Sequence, residues 1–163
     1  MIEVFLYRSP VGPLDVHIVG SGAVAALYFD GQSERAFPGD HPVSEALDEY
    51  FESGIGLERL HVCSAAAPFR RSVLDYVRTI PPGEVRTYAE VAAAAGKTGA
   101  ARAVGNAMSS NLTPIIVPCH RVVSSSGLGG YSGGLERKKF LLALEERLAR
   151  LGRPGQFSPG VAI

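Results

Sequence analysis

The residues best suited to chemistry lie between 111 and 146. In Pro118-Cys119-His120-Arg121 a thiol stands beside an imidazole and a guanidinium. The proline before it fixes its own φ and offers no N–H. The thiolate is the nucleophilic form of cysteine, and at an unperturbed pKa of ~8.5 only a few per cent is ionised near pH 7. A base, and an acid that orients the base, complete the usual logic of an activated thiol. His120 is the only histidine after residue 67 and is the natural base. Glu145 or Glu146 could orient its imidazole, and spacing alone does not choose between them. Adjacent side chains of an extended chain point to opposite sides, so His120 is expected to reach Cys119 through a water. Arg121, Arg137, Lys138 and Lys139 supply positive charge that would favour the anion. Cys119 is therefore expected to be held as a thiolate.

The remaining chemistry-bearing residues are sparse. Cys63 has no comparable setting and reads as a small apolar side chain. The histidines (His17, His41, His61, His120) and the two cysteines show no paired ligand spacing, so no metal is expected. The glycine-dense run Gly127-Leu128-Gly129-Gly130-Tyr131-Ser132-Gly133-Gly134 lacks the Lys-Ser/Thr ending of a phosphate loop, which argues against a nucleoside triphosphate. It reads instead as a flap whose backbone approaches a ligand.

The elements that must position these groups fall into two halves. Val4 and Leu6, then Leu14, Val16 and Ile18, alternate at period two, and an apolar run covers 23–29. Ser9-Pro10-Val11-Gly12-Pro13 and Ser21-Gly22 are turn chemistry. These features predict an antiparallel meander of three strands, followed by a short helix through Val43, Leu47, Tyr50 and Phe51. Residues 53–67 are small and irregular, and the boundary is placed as a domain over 1–62, a linker over 63–67, a second domain over 68–150 and a loosely ordered tail over 151–163.

In the second half, Phe69, Val73, Tyr76 and Val77 predict a helix closed by Pro81-Pro82-Gly83. Thr87-Tyr88-Ala89-Glu90 is a capping box that opens another. A Gly-containing turn leads to a helix from about 100 to 110, which together form a helix-turn-helix. That last helix is rich in small residues: Ala101, Ala103 and Gly105. Gly105 costs ~1 kcal/mol relative to Ala inside a helix, so close approach to a neighbouring helix or to a nucleic-acid groove is expected there. Ile115, Ile116 and Val117 read as a buried extended segment. Leu135, Leu141, Leu144 and Leu148 define a C-terminal helix.

Charge narrows the partner. The net charge is zero, but residues 1–67 carry ten acids and three bases, whereas 68–163 carry six acids and thirteen bases. A basic second half suggests a polyanion partner. No apolar run approaches the ~20 residues of a membrane helix, and Met1-Ile2-Glu3-Val4-Phe5 is not a secretory start. A cytoplasmic location and no membrane contact are expected.

Taken together, Pro118-Cys119-His120-Arg121-Val122-Val123 and Gly130-Tyr131-Ser132-Gly133-Gly134, with Ile80-Pro81-Pro82-Gly83-Glu84-Val85-Arg86-Thr87-Tyr88 and Arg102-Ala103-Val104-Gly105-Asn106-Ala107-Met108 upstream, resemble the O6-alkylguanine-DNA alkyltransferases. The resemblance is strong over 68–146. It is weak in the first half, where Ser9-Pro10-Val11-Gly12-Pro13-Leu14 and Leu27-Tyr28-Phe29-Asp30-Gly31 carry it.

This resemblance implies an α/β protein: a ribonuclease-H-like antiparallel sheet domain followed by a helical domain with a helix-turn-helix. It implies irreversible, single-turnover transfer of an alkyl group from O6-alkylguanine in duplex DNA to Cys119, with O4-alkylthymine as a further substrate. His120 would be the water-mediated base and Glu145 its partner, Asn111 would hold the active-site loop, and Tyr88 and Ser132 would contact a flipped base. Arg102 would fill the space that base vacates, with Ala101, Ala103 and Gly105 in the minor groove. Tyr131, Arg121 and Lys138 are expected among the DNA- and base-contacting residues. No cofactor or metal is implied, and the protein is expected to act as a monomer.

Two other classes compete. A Cys-His hydrolase would turn over repeatedly and have little affinity for DNA. A plain helix-turn-helix regulator would not need Pro-Cys-His. Relatives of the alkyltransferases that bind without reacting carry another residue in place of the cysteine, and Cys119 argues against that state.

Overall fold

The computed structural model describes residues 1–152. Three antiparallel strands, β1 (Ile2–Ser9), β2 (Gly12–Val19) and β3 (Val24–Phe29), form a meander in sequence order. Phe5 lies opposite Val16, and Leu14 opposite Phe29, with a bulge between His17 and Ile18. The inward side of β1 is Phe5 and Tyr7, not the Val4 and Leu6 whose alternation predicted the strand. Both sides of β1 are apolar, and the larger aromatic pair is turned into the core, where it can bury most surface.

Helix α1 (Pro42–Ser53) covers this sheet. His41 Nδ1 accepts from the Val43 N–H at its start, Pro42 stands where no N–H is needed, and Gly54 ends it in the left-handed region. Its buried stripe is Val43, Ala46, Leu47 and Tyr50. The segment that follows is less irregular than its composition suggests. A single 3-10 turn forms over Leu57–Arg59, and the chain then lies along β3, with Val24 N–H donating to His61 O and Cys63 N–H to Val24 O.

The second half holds α2 (Pro68–Thr79), a two-residue strand β4 (Arg86–Thr87), α3 (Tyr88–Ala94) and α4 (Ala101–Ser109). A 3-10 turn over Cys119–Arg121 runs into β5 (Val122–Val123), which pairs in parallel with β4, and α5 (Leu135–Leu151) follows. Both bonds of the expected capping box form: Thr87 Oγ1 accepts from Glu90 N–H at 3.2 Å, and Glu90 Oε2 accepts from Thr87 N–H at 2.7 Å. Most of the tail expected to be loosely ordered lies outside the described residues; Leu151 ends α5 and Gly152 caps it.

Two buried clusters result. One joins the sheet and α1 to Ile115, Ile116 and Leu141. The other joins α2, α3 and α4 to Val117, Cys119 and Val122. The run 115–117 therefore links the two cores, but not as an extended segment. Ile115 has φ +73° and Val117 N–H donates back to Thr113 O at 2.8 Å, so the chain makes a tight turn. A β-branched residue in the left-handed region is strained. Here burying Ile115 and Ile116 in one core and Val117 in the other holds it in place.

Candidate active site

Helix α5 carries buried residues at Lys138, Leu141, Leu144 and Glu145. This i, i+3, i+7 spacing brings an ammonium and a carboxylate to the same face as core leucines. Glu146, the alternative to Glu145 on spacing, is exposed and pairs with Arg150 one turn on.

Glu145 is fully buried and accepts four hydrogen bonds. Its Oε1 takes the Tyr50 hydroxyl at 2.6 Å, His120 Nε2 at 2.6 Å and Arg121 Nη2 at 2.7 Å, and its Oε2 takes Arg121 Nε at 2.9 Å. Burial works to raise its pKa, but the His120 and Arg121 contacts dominate and hold it at about 2. With Nε2 donating to the carboxylate, His120 Nδ1 is a bare acceptor. It is buried and has no partner among the described residues. Burial pushes the His120 pKa down, against the pull of Glu145, so the imidazole is neutral at pH 7.

Cys119 begins the 3-10 turn that also presents His120 and Arg121. It is 4% exposed. Burial pushes its thiol up to about 11, opposed by a hydrogen bond from Asn111 and the charge of Lys138. The expectation of a resting thiolate is thus corrected: the sulfur is protonated in the free protein. Desolvation outweighs the cations, because three of the four are engaged elsewhere: Arg121 is taken up by Glu145 and Ile80 O. Arg137 holds Asp30, and Lys139 pairs with Glu136.

Asn111 ties the loop that leads to Cys119. Its Nδ2 donates to Val117 O at 2.9 Å, and its Oδ1 accepts from Thr113 N–H at 3.1 Å. Cys119 lines a cleft of about 260 Å3 whose walls include Tyr88, Gly105, Met108, Tyr131 and Ser132. The glycine run closes over it. A Cβ on Gly129, where φ is +70°, would stand 2.7 Å from the Tyr88 hydroxyl, so only glycine lets the loop and Tyr88 share this wall. A Cβ on Gly105 would meet nothing within 4 Å. Its smallness does not serve packing on a neighbouring helix but keeps one side of the cleft open.

Arg121 and Lys138 lie elsewhere than at a DNA or base surface. Besides holding Glu145, Arg121 donates Nη1 to Ile80 O at 2.6 Å, and Lys138 Nζ donates to Val122 O at 2.7 Å and Gly130 O at 2.9 Å. Both are buried. A long cation next to unsatisfied carbonyls and a buried carboxylate is more valuable inside than on the surface, a preference that sequence position does not display. Arg102 and Ala103 are exposed on α4, and Ala101 is half-buried. Sequence reasoning missed Tyr50 as part of the site. Its helical spacing marked it as core, and only its hydroxyl reveals more.

The fold and this thiol cleft define a class, which comparison with known proteins resolves. Residues 68–147 match the family model described as 6-O-methylguanine DNA methyltransferase, DNA binding domain. The methylated-DNA–protein-cysteine methyltransferase of Mycolicibacterium paratuberculosis is 45% identical over 117 residues, covering 71% of this chain and 69% of that one. The Homo sapiens protein of the same name is 38% identical, covering 90% and 81%. The structure of Mycobacterium tuberculosis OGT in complex with DNA aligns with a TM-score of 0.78 at 37% identity, covering 89% of this chain and 93% of that one. The chain belongs to the methylated-DNA–protein-cysteine methyltransferases, a family of DNA-repair enzymes. Among the described residues, no helix is long and apolar enough to cross a membrane.

Proposed function

We propose that this protein repairs DNA by moving an alkyl group from guanine O6, and from thymine O4, onto Cys119, once per molecule. The observation that carries this reading is that Cys119 lines one cleft with Tyr88, Tyr131 and Ser132, backed by the buried His120–Glu145–Arg121 cluster.

A base inside duplex DNA cannot present its O6 substituent to a buried thiol, so it must rotate out of the stack, at a cost of a few kcal/mol. Helix α4 follows α3 after a tight turn containing Gly96 and Gly99, both left-handed. This helix-turn-helix would enter the minor groove through Ala101, Ala103 and Gly105, and exposed Arg102 would occupy the vacated space. The basic second half supplies phosphate attraction.

In the reaction, the thiol proton passes through a water to His120 Nδ1, whose lone pair is free for it. The sulfur attacks the alkyl carbon, the carbon–O6 bond breaks, and its electron pair stays on the guanine. The guanine then takes up one proton, balanced by the proton that His120 received from the thiol and releases through water, with the Tyr88 hydroxyl as hydrogen-bond donor to the departing base. A protonated resting thiol keeps the sulfur inert until a base seals the cleft. The product thioether is a weak electrophile with no group arranged to cleave it, which makes the event terminal. Each molecule acts alone, as a monomer.

Incubation with duplex DNA bearing radiolabelled O6-methylguanine tests this. The reading requires at most one label per chain, found on the Cys119 peptide and absent in Cys119→Ala. Released methyl product with repeated turnover would instead establish a Cys-His hydrolase.

A further inference from the structure

Tyr50 is placed by the first half of the chain, outside residues 68–147 that match the DNA-binding family model. It sits on α1, 1% exposed, and its hydroxyl donates at 2.6 Å to Glu145 Oε1 across 95 residues of sequence. The same oxygen accepts His120 Nε2 at 2.6 Å and Arg121 Nη2 at 2.7 Å, so three donors share its lone pairs. Hydrogen bonds on one carboxylate oxygen compete for its charge. A neutral core would have been met equally well by phenylalanine. The hydroxyl is therefore unexplained by packing, and its position on the oxygen that orients the base gives it a task.

We propose that Tyr50 is a positioning residue for alkyl transfer: by donating to Glu145 Oε1 it draws charge from the oxygen that orients His120, and so limits how strongly the imidazole holds a proton. This inference rests on the reading of Cys119 as alkyl acceptor and His120 as its base. A base that keeps the proton too tightly would stay protonated and be unable to accept one from the thiol. The groups that face the pair are accounted for. Tyr50 is faced by Glu145, Arg121 and Tyr131, and His120 by Glu145, Arg121, Lys138 and the edge-on ring of Tyr131. Arg121 and Lys138 are cations in both the wild type and a Tyr50→Phe variant, which leaves the tyrosine hydroxyl as the single change.

The test is Tyr50→Phe, with Tyr7→Phe as control. Tyr7 also donates its hydroxyl to a carboxylate on α1, Asp48 Oδ1 at 2.7 Å, and neither lines the thiol cleft nor bonds Glu145. Single-turnover transfer from free O6-benzylguanine is followed against pH, and the His120 Nε2–H resonance is recorded without substrate. In Tyr50→Phe the acid limb of the rate profile is expected to move to higher pH by about half a unit or more, and the Nε2–H resonance to move downfield as the bond to Glu145 strengthens. Tyr7→Phe should change neither. Superimposable profiles and resonances, a shift to lower pH, or a loss of melting temperature with no change in either readout would each overturn the proposal. If wild type transfers no alkyl group, the functional reading fails, while the resonance still decides whether Tyr50 acts on His120.

Discussion

Phe29 and Tyr131 meet edge to face, ring centroids 5.9 Å apart. One is the last residue of the N-terminal sheet and the other a wall of the thiol cleft. The Arg137 guanidinium lies 4.9 Å above the Phe29 ring while it holds Asp30 at 2.5 Å, and a Cβ on Gly133 would come within 2.6 Å of the ring. The sheet thus props the cleft wall from behind. Phe29→Ala should lower unfolding free energy by about 2 kcal/mol, read from urea denaturation. It should also slow transfer from methylated DNA about tenfold, because a slack wall no longer holds the base against the sulfur.

Two glycines of the cleft should respond in opposite ways. Gly105→Ala meets no atom within 4 Å and gains helix propensity, so thermal stability should rise by about 0.5–1 kcal/mol while alkyl transfer in duplex DNA falls. Gly129→Ala is strained at φ +70° and displaces Tyr88. It should cost about 1–2 kcal/mol and reduce reaction with free O6-benzylguanine as well. Equal behaviour of the two variants would contradict the assignment of the cleft walls.

The cations separate by burial. Arg121→Met leaves the Glu145 carboxylate without its main counter-charge and should cost about 3–5 kcal/mol in chemical denaturation. Arg102→Ala removes an exposed side chain and should stay within about 0.5 kcal/mol of wild type. Its effect should show instead in repair: a large loss on duplex DNA and little on the free base. Equal losses on both substrates would show that Arg102 does not fill the vacated stack.

The pH dependence of stability follows from the signs of the shifts. Glu145 is held at about 2 in the folded state against an ordinary 4.5, so its contribution is complete above 4.5 and is lost as pH falls toward 2. His120, pushed down from 6.5 by burial, adds a loss of the same sign that begins below 6.5. Cys119, raised from 9.0 to about 11, stabilises the fold below 9 and loses that contribution as pH rises through 11. Unfolding free energies of wild type and Cys119→Ser, read from urea denaturation, should therefore diverge between pH 9 and 11, by about 2 kcal/mol. Parallel curves would place the thiol in water.

Much of this was already written in the chain. The three strands follow from alternation, the start of α3 from its capping box, and the proposed nucleophile and base from Pro118-Cys119-His120, with the glycine run marking the loop that lines the same cleft. These depend on residues near one another in sequence, where backbone sterics and hydrogen bonding act directly. What alternation could not tell was which side of β1 turns inward, because both sides are apolar. Nor could charge at Arg121 and Lys138 tell that both are buried, since a cation looks the same on a surface as beside a carboxylate inside. The choice of Glu145 over Glu146, the protonated state of Cys119 and the reach of Tyr50 into the site were decided only when α1, α5 and the 3-10 turn of Cys119 packed together. Desolvation and hydrogen bonding are set by every neighbour at once, and those neighbours come from parts of the chain that no local pattern connects.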